Sequence, residues 1–183
     1  MKLVQPEITC DAILIATMII AAYTDWRFHK IYNWMTFSGM AAGLGVRAGF
    51  TGTEGAALSL LGLVVGLLIQ LAPFALKLIK AGDVKLLMMV GALEGWEFTL
   101  WGFLYGAAAF GLLAIFWLWR DGTLRQTLRN AMDFLKVLGW SRAINEPGPP
   151  ASQRMMPWGI GLALGFLIAV AMKHGWGSPS LIP

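Results

Sequence analysis

Long apolar runs separated by short polar breaks dominate the chain from near its first residue to its last. Six such runs can be drawn: Ile8 to Thr24, Tyr32 to about Phe50, Ala56 to Ile79, Asp83 to between Leu93 and Leu100, Thr99 to Trp119, and Pro157 to Met172. Runs of about 18 or more residues with few charges match the length a helix needs to cross a hydrocarbon core. In lipid a backbone must satisfy its own hydrogen bonds, so each run is predicted to be a helix. A transmembrane barrel would show alternating segments of about ten residues, and a cleaved signal peptide would not recur along the whole chain. The pattern predicts an all-α polytopic membrane protein with six transmembrane helices, forming a single membrane-embedded domain over residues 1–183. Within the third run, Pro73 predicts a kink.

Composition agrees. Hydrophobic residues make up 57% and charged residues 13%, against about a quarter charged in soluble domains. The net charge of +4 could suggest nucleic acid, but its distribution follows topology. Of the 14 Lys and Arg residues, all except Lys2, Arg47 and Lys173 fall in or beside the segments after the first, third and fifth runs. Basic residues in short loops mark the cytoplasmic side. The expected topology therefore puts both termini on the outer side of a membrane, with no nucleic-acid partner. The lone Cys10 excludes an intramolecular disulfide and a Cys-rich zinc site.

Between the fifth and sixth runs the pattern changes. From Thr123 to Trp140, Leu124, Leu128, Ala131, Met132, Leu135 and Leu138 recur at helical spacing, with Arg125, Arg129, Asp133 and Lys136 on the other face. This predicts a cationic amphipathic helix within a cytoplasmic loop over 120–156, lying on the inner leaflet or packed as an ordinary cytoplasmic helix. Glycines spaced four apart recur in five of the runs: Gly39/Gly43, Gly62/Gly66, Gly91/Gly95, Gly102/Gly106 and Gly161/Gly165. Such pairs let helix backbones approach closely in lipid.

Most carboxylates have simple placements. Glu7, Asp11 and Glu54 belong near the outer surface, Asp121, Asp133 and Glu146 in the cytoplasmic segment, and Glu94 and Glu97 at the outer end of the fourth run. Asp25 and Asp83 remain. Asp25 could be an exposed interfacial residue paired with Arg27 or Lys30, and Asp83 could be a helix N-cap. On the predicted topology, however, both lie at one membrane boundary, on the cytoplasmic face. Ionisable residues at such depth are costly and point to function. Two carboxylates brought close do not both ionise readily, so one can activate water while its protonated partner polarises a carbonyl. Other chemistries lack their residues: His29 and His174 fall on opposite sides, so no metal site is expected, and no phosphate loop or nucleophile elbow is present.

The stretch Asp25-Trp26-Arg27-Phe28-His29-Lys30-Ile31-Tyr32-Asn33-Trp34 resembles the first catalytic motif of the type IV prepilin peptidases: an Asp after the first span, a basic residue two positions on, then Ile-Pro-Asn opening the next span. Lys80-Ala81-Gly82-Asp83-Val84-Lys85-Leu86-Leu87 resembles their second motif, GxGD followed by Val-Lys-Leu. Met156-Pro157-Trp158-Gly159-Ile160-Gly161, through Gly165, resembles the start of their last span. Lys80 stands where the family has the first Gly of GxGD, and Tyr32 where it has Pro. The resemblance implies an aspartic endopeptidase that removes the basic leader from type IV prepilin or pseudopilin precursors at the cytoplasmic membrane face. Asp25 and Asp83 would be its dyad, with Gly82, Lys85 and Asn33 supporting the motifs. The implied partners are the precursor, the bilayer and pilus assembly machinery, and no cofactor is implied. The cysteine-bearing domain that accompanies N-methylation in larger members has no counterpart here, so a short form without methyltransferase activity is expected. A catalytically weak scaffold of a pilus or secretion assembly, and a small proton- or cation-coupled transporter, are the alternatives.

Overall fold

The structure is a computed structural model that describes residues 6–75, 79–129, 132 and 158–176. Five long helices are seen: α1 (Pro6–Phe28), α2 (Asn33–Ala75), α3 (Ala81–Glu94), α4 (Trp96–Arg120) and α5 (Trp158–Trp176). Helices α1, α2, α4 and α5 are long and apolar enough to cross a membrane, whereas α3, with 14 residues, falls outside that set.

The second and third apolar runs are joined in α2. A straight helix of its 43 residues would extend roughly 65 Å at 1.5 Å per residue, about twice the thickness of a hydrocarbon core. It is interrupted at Gly52, where φ is 66° and ψ −141°, a left-handed φ that glycine adopts without the clash a Cβ would bring. Beyond it the chain reverses, since a Cβ on Gly55 would collide with the carbonyl of Arg47, a residue two helical turns away in sequence. The expected kink at Pro73 is not the break; Pro73 lies within helical residues and the break is at Gly52.

Contacts with α3 give the direction of each leg. Gly39 faces Met89 and Gly43 faces Ala92, while past the break Gly62 faces Gly91 and Gly66 faces Leu87. The first leg therefore runs with α3 and the second against it, so α2 is a hairpin that straddles α3. Asp83, Val84, Leu86, Leu87 and Met89 to Leu93 are all buried. A helix apolar on every side belongs in an interior, and the buried residues of α3 share one core with Leu14 and Met18 of α1 and with Leu162 and Phe166 of α5. The outer helices instead expose Ile19, Leu60, Leu61 and Leu68, as lipid contact allows.

Glycines set the spacing. A Cβ on Gly91 would collide with the carbonyl of Gly62, and one on Gly62 with the carbonyl of Gly91. Gly91→Ala is expected to cost about 1–3 kcal/mol through overpacking, read as a lower midpoint in an SDS unfolding titration. Gly45→Ala, where a Cβ meets nothing within 4 Å, should be neutral or mildly stabilising through helix propensity. Equal shifts for the two variants would contradict this packing.

Helices α1 and α5 are antiparallel. At the end where α1 begins, Lys173 Nζ lies 3.1 Å from Asp11 Oδ1 and 2.9 Å from Glu94 Oε2, and His174 Nε2 lies 3.0 Å from Asp11 Oδ2. Glu94 ends α3, as expected of a residue marking the end of the fourth run, and with Asp11, expected near the outer surface, it is a member of this cluster, which joins α1, α3 and α5. Asp11 is buried and Glu94 is largely covered.

Residues 1–110 and 157–183 form one compact unit, and 111–156 a second. In the second unit α4 ends at Arg120, Gly122 turns the chain with φ 68°, and Thr123 N–H donates to the Leu118 carbonyl. Helix resumes over 124–129 and at Met132. The other residues of the expected amphipathic helix, 130–131 and 133–140, lie outside the described residues.

Candidate active site

Asp25 and Asp83 meet at the end of the first unit where α1 finishes and α3 begins. They line one cleft of about 370 Å³, together with His29, Lys30, Ile31, Tyr32, Asn33, Lys80, Ala81 and Gly82. Asp25 is 5% exposed and Asp83 4% exposed, so Asp25 is not the exposed interfacial acid that it might have been.

Each carboxylate is held by backbone. Asp25 lies in the last turn of α1, and its Oδ2 accepts the Gly159 N–H at 2.8 Å. This donor belongs to the first turn of α5, whose N–H groups have no partner within their own helix. A Cβ on Gly159 would meet Asp25 Oδ2 at 2.7 Å, so the approach requires a residue without a side chain. The alternative of an exposed Asp25 paired with Arg27 or Lys30 gives way to this tie to α5.

Asp83 is not the N-cap. Lys80 occupies that position with extended φ −93° and ψ 156°, and Asp83, three residues on, accepts the Lys80 N–H with Oδ2 at 3.0 Å. A carboxylate reaching back from this position to the N-cap N–H is one half of a capping box. The Asp83 carboxyl, in the first turn of a helix outside the four long spans, is pushed up to about 6 by burial, with the Asp25 charge adding to the rise and the Lys80 N–H and ammonium opposing it. Burial disfavours the ionised form, and a like charge acts in the same direction.

The motif-supporting residues pair with each other. Lys85 Nζ donates to Asn33 Oδ1 at 2.9 Å and lies 5.2 Å from the centre of the Phe37 ring, which ties the first turn of α2 to α3. A Cβ on Gly82 would come to 3.1 Å from Ile31 Cβ, so this glycine lets the entry to α3 lie against the α1–α2 connection. His29, in that connection, has φ 51°. Lys80 Nζ donates to its carbonyl at 3.0 Å.

Sequence reasoning did not assign Gly159 a role in the site, although the glycine directly after Pro157-Trp158 was visible. It also passed over Gln70, whose fully buried amide has no hydrogen-bond partner. The pairs Gly62–Gly91 and Gly66–Leu87 set a register that brings Gln70, one turn further, level with the first turn of α3. A polar residue within an apolar run was the available signal.

No curated protein and no solved structure matches the chain. The type IV leader peptidase family matches over residues 12–116, a stretch that contains both aspartates, the motif-supporting Gly82, Lys85 and Asn33, and the whole α2–α3 packing unit. With that match covering more than half of its length, and with the two motif aspartates brought into one cleft, the chain belongs to the type IV leader peptidase family.

Proposed function

We propose that this protein is a membrane aspartic endopeptidase in which Asp25 and Asp83 form the catalytic dyad. It would cleave the basic leader from type IV prepilin-like or pseudopilin precursors at the cytoplasmic face of the inner membrane. The observation that carries this reading is the placement of two buried carboxylates in one cleft, each with Oδ2 anchored to backbone.

In this reading Asp83, with its raised affinity for a proton, is the protonated partner and Asp25 the base. Asp25 takes a proton from a water as the water oxygen attacks the scissile carbonyl carbon. Asp83 donates to the carbonyl oxygen, which carries the developing negative charge. Collapse of the tetrahedral centre breaks the C–N bond: the proton held by Asp25 passes to the leaving amine, and one hydroxyl of the centre returns its proton to Asp83 as the carbonyl re-forms. Neither a covalent intermediate nor a cofactor is needed.

Depth and charge support a boundary location. Tyr23, Trp26, Phe28, Tyr32 and Trp34 are exposed around the cleft end, as aromatic residues are at membrane–water interfaces. Arg27, Lys30, Lys80 and Lys85 lie at this end, while Arg47 bonds the Leu93 carbonyl and Lys173 joins Asp11 and Glu94 at the other. That asymmetry supports a cytoplasmic cleft with both termini on the outer side. The supporting roles of Gly82, Lys85 and Asn33 belong to the same proposal.

Purified protein in detergent is expected to cut a pilin-like precursor once, ahead of its hydrophobic segment, with the new N-terminus read by mass spectrometry. Among the described residues, no three His, Cys, Asp or Glu side chains gather where a metal could sit, so EDTA should leave the rate unchanged. Absence of cleavage across a panel of precursors, or EDTA inhibition reversed by added metal, would overturn the reading.

A further inference from the structure

We infer that Lys80 is a positioning residue of the dyad: through its ammonium it ties the segment carrying Asp83 to the segment carrying Asp25. The inference rests on the peptidase reading above. Several hydrogen bonds converge on this one residue. Its N–H holds Asp83 Oδ2 at 3.0 Å, and its carbonyl accepts the Asp83 N–H at 3.0 Å. Its Nζ crosses to the His29 carbonyl at 3.0 Å, and the His29 N–H in turn donates to the Asp25 carbonyl at 2.9 Å. A continuous hydrogen-bonded path thus runs from the Asp83 carboxylate through Lys80 and His29 to the backbone of Asp25.

The far end of that path is a conformation that benefits from an anchor. His29 has φ 51°, which a residue with a side chain adopts only at some cost. The carbonyl that this turn presents is the one the ammonium takes. An exposed lysine at a membrane boundary would otherwise extend toward headgroups; here it is turned to a backbone acceptor 51 residues earlier in the chain. The same cation sits in the cleft with both carboxylates, so it favours release of the proton they share. The groups facing Asp83 in this cleft are Asp25 from α1, His29, Lys30 and Tyr32 from the α1–α2 connection, and Lys80 itself.

Substitution separates the two bonds of Lys80. The N–H to Asp83 survives any replacement except proline, and the helices remain joined by the core that includes Leu14, Met18, Leu86 and Leu87. Lys80→Met should therefore leave the SDS unfolding midpoint unchanged while lowering kcat roughly five-fold, the scale of one partly exposed charged hydrogen bond, with KM held within about two-fold. Its descending alkaline limb should move up by about half a pH unit, because the dyad keeps its proton longer without the cation. Lys80→Arg should restore both readouts. Independently of proteolysis, carbodiimide labelling of Asp83, followed by mass spectrometry across pH, should persist to higher pH in Lys80→Met than in the unsubstituted protein. Labelling profiles that coincide, or a kcat that does not change, overturn the inference. A shifted labelling profile in a chain that cleaves no precursor overturns the peptidase reading and leaves the electrostatic link standing.

Discussion

On the proposed mechanism, Asp25→Asn and Asp83→Asn are each expected to lower precursor cleavage by roughly a thousand-fold or more, since each would remove a group assigned a proton transfer. Asparagine keeps the shape of the side chain and retains a carbonyl oxygen. It can still accept the Gly159 N–H at position 25 and the Lys80 N–H at position 83, the two bonds that hold these residues in place. Folding should therefore survive, with unchanged helix content by circular dichroism and an unchanged gel-filtration profile in detergent. Loss of activity together with loss of fold would assign the residues to structure alone. Retained cleavage by Asp83→Asn would end the dyad proposal. The pH dependence has a defined sign: with the Asp83 carboxyl pushed up to about 6 by burial and by its acidic neighbour, activity should fall as pH rises past the point where the pair loses its shared proton, and fall again in acid once both carboxyls are protonated. Two such limbs report the pair rather than either residue.

The second large effect lies at the opposite end of the bundle. Lys173→Met is expected to destabilise the protein by about 3–5 kcal/mol, because it leaves buried carboxylates without their cation. Lys173 is 14% exposed and its partners Asp11 and Glu94 are 5% and 2% exposed, so solvent screens the cluster little. His174 reaches Asp11 but is 57% exposed, and it bonds only the Asp11 side of the cluster. The measurement is an SDS or mixed-micelle unfolding titration. Adding Glu94→Gln to Lys173→Met should recover part of the loss, since one uncompensated charge is then removed, and the non-additivity measures the coupling. A loss below about 1 kcal/mol would place the cluster with solvent-exposed pairs.

Particular residues show how far a linear reading reaches. The apolar runs announced helices because a bilayer leaves the backbone few other ways to satisfy its hydrogen bonds, and α1, α4 and α5 follow them closely. The glycine pairs announced close packing, which Gly62 and Gly91 realise. The motif residues placed Asp25 and Asp83 at one end before any coordinates were needed. The joining of two runs into α2 was less legible: Gly52 lies among Thr51, Thr53, Glu54 and Gly55, and nothing in composition says that one positive φ replaces a loop. Asp11 and Glu94 were placed near the outer ends of their runs but not in one buried ion cluster, because hydropathy does not show which neighbours surround a charge.

By itself the sequence determined that this chain is helical, that it belongs in a membrane and that its two motif aspartates share an end of the bundle; these follow from local pattern and from the number of crossings between them. Only the tertiary structure decided that Asp25 is held by the first turn of α5, 134 residues away, and that Lys80 reaches back to His29. It also decided that α3 lies buried in the core. Such facts depend on which helix faces meet, and facing is set by the packing of all helices together, which no single run of residues contains.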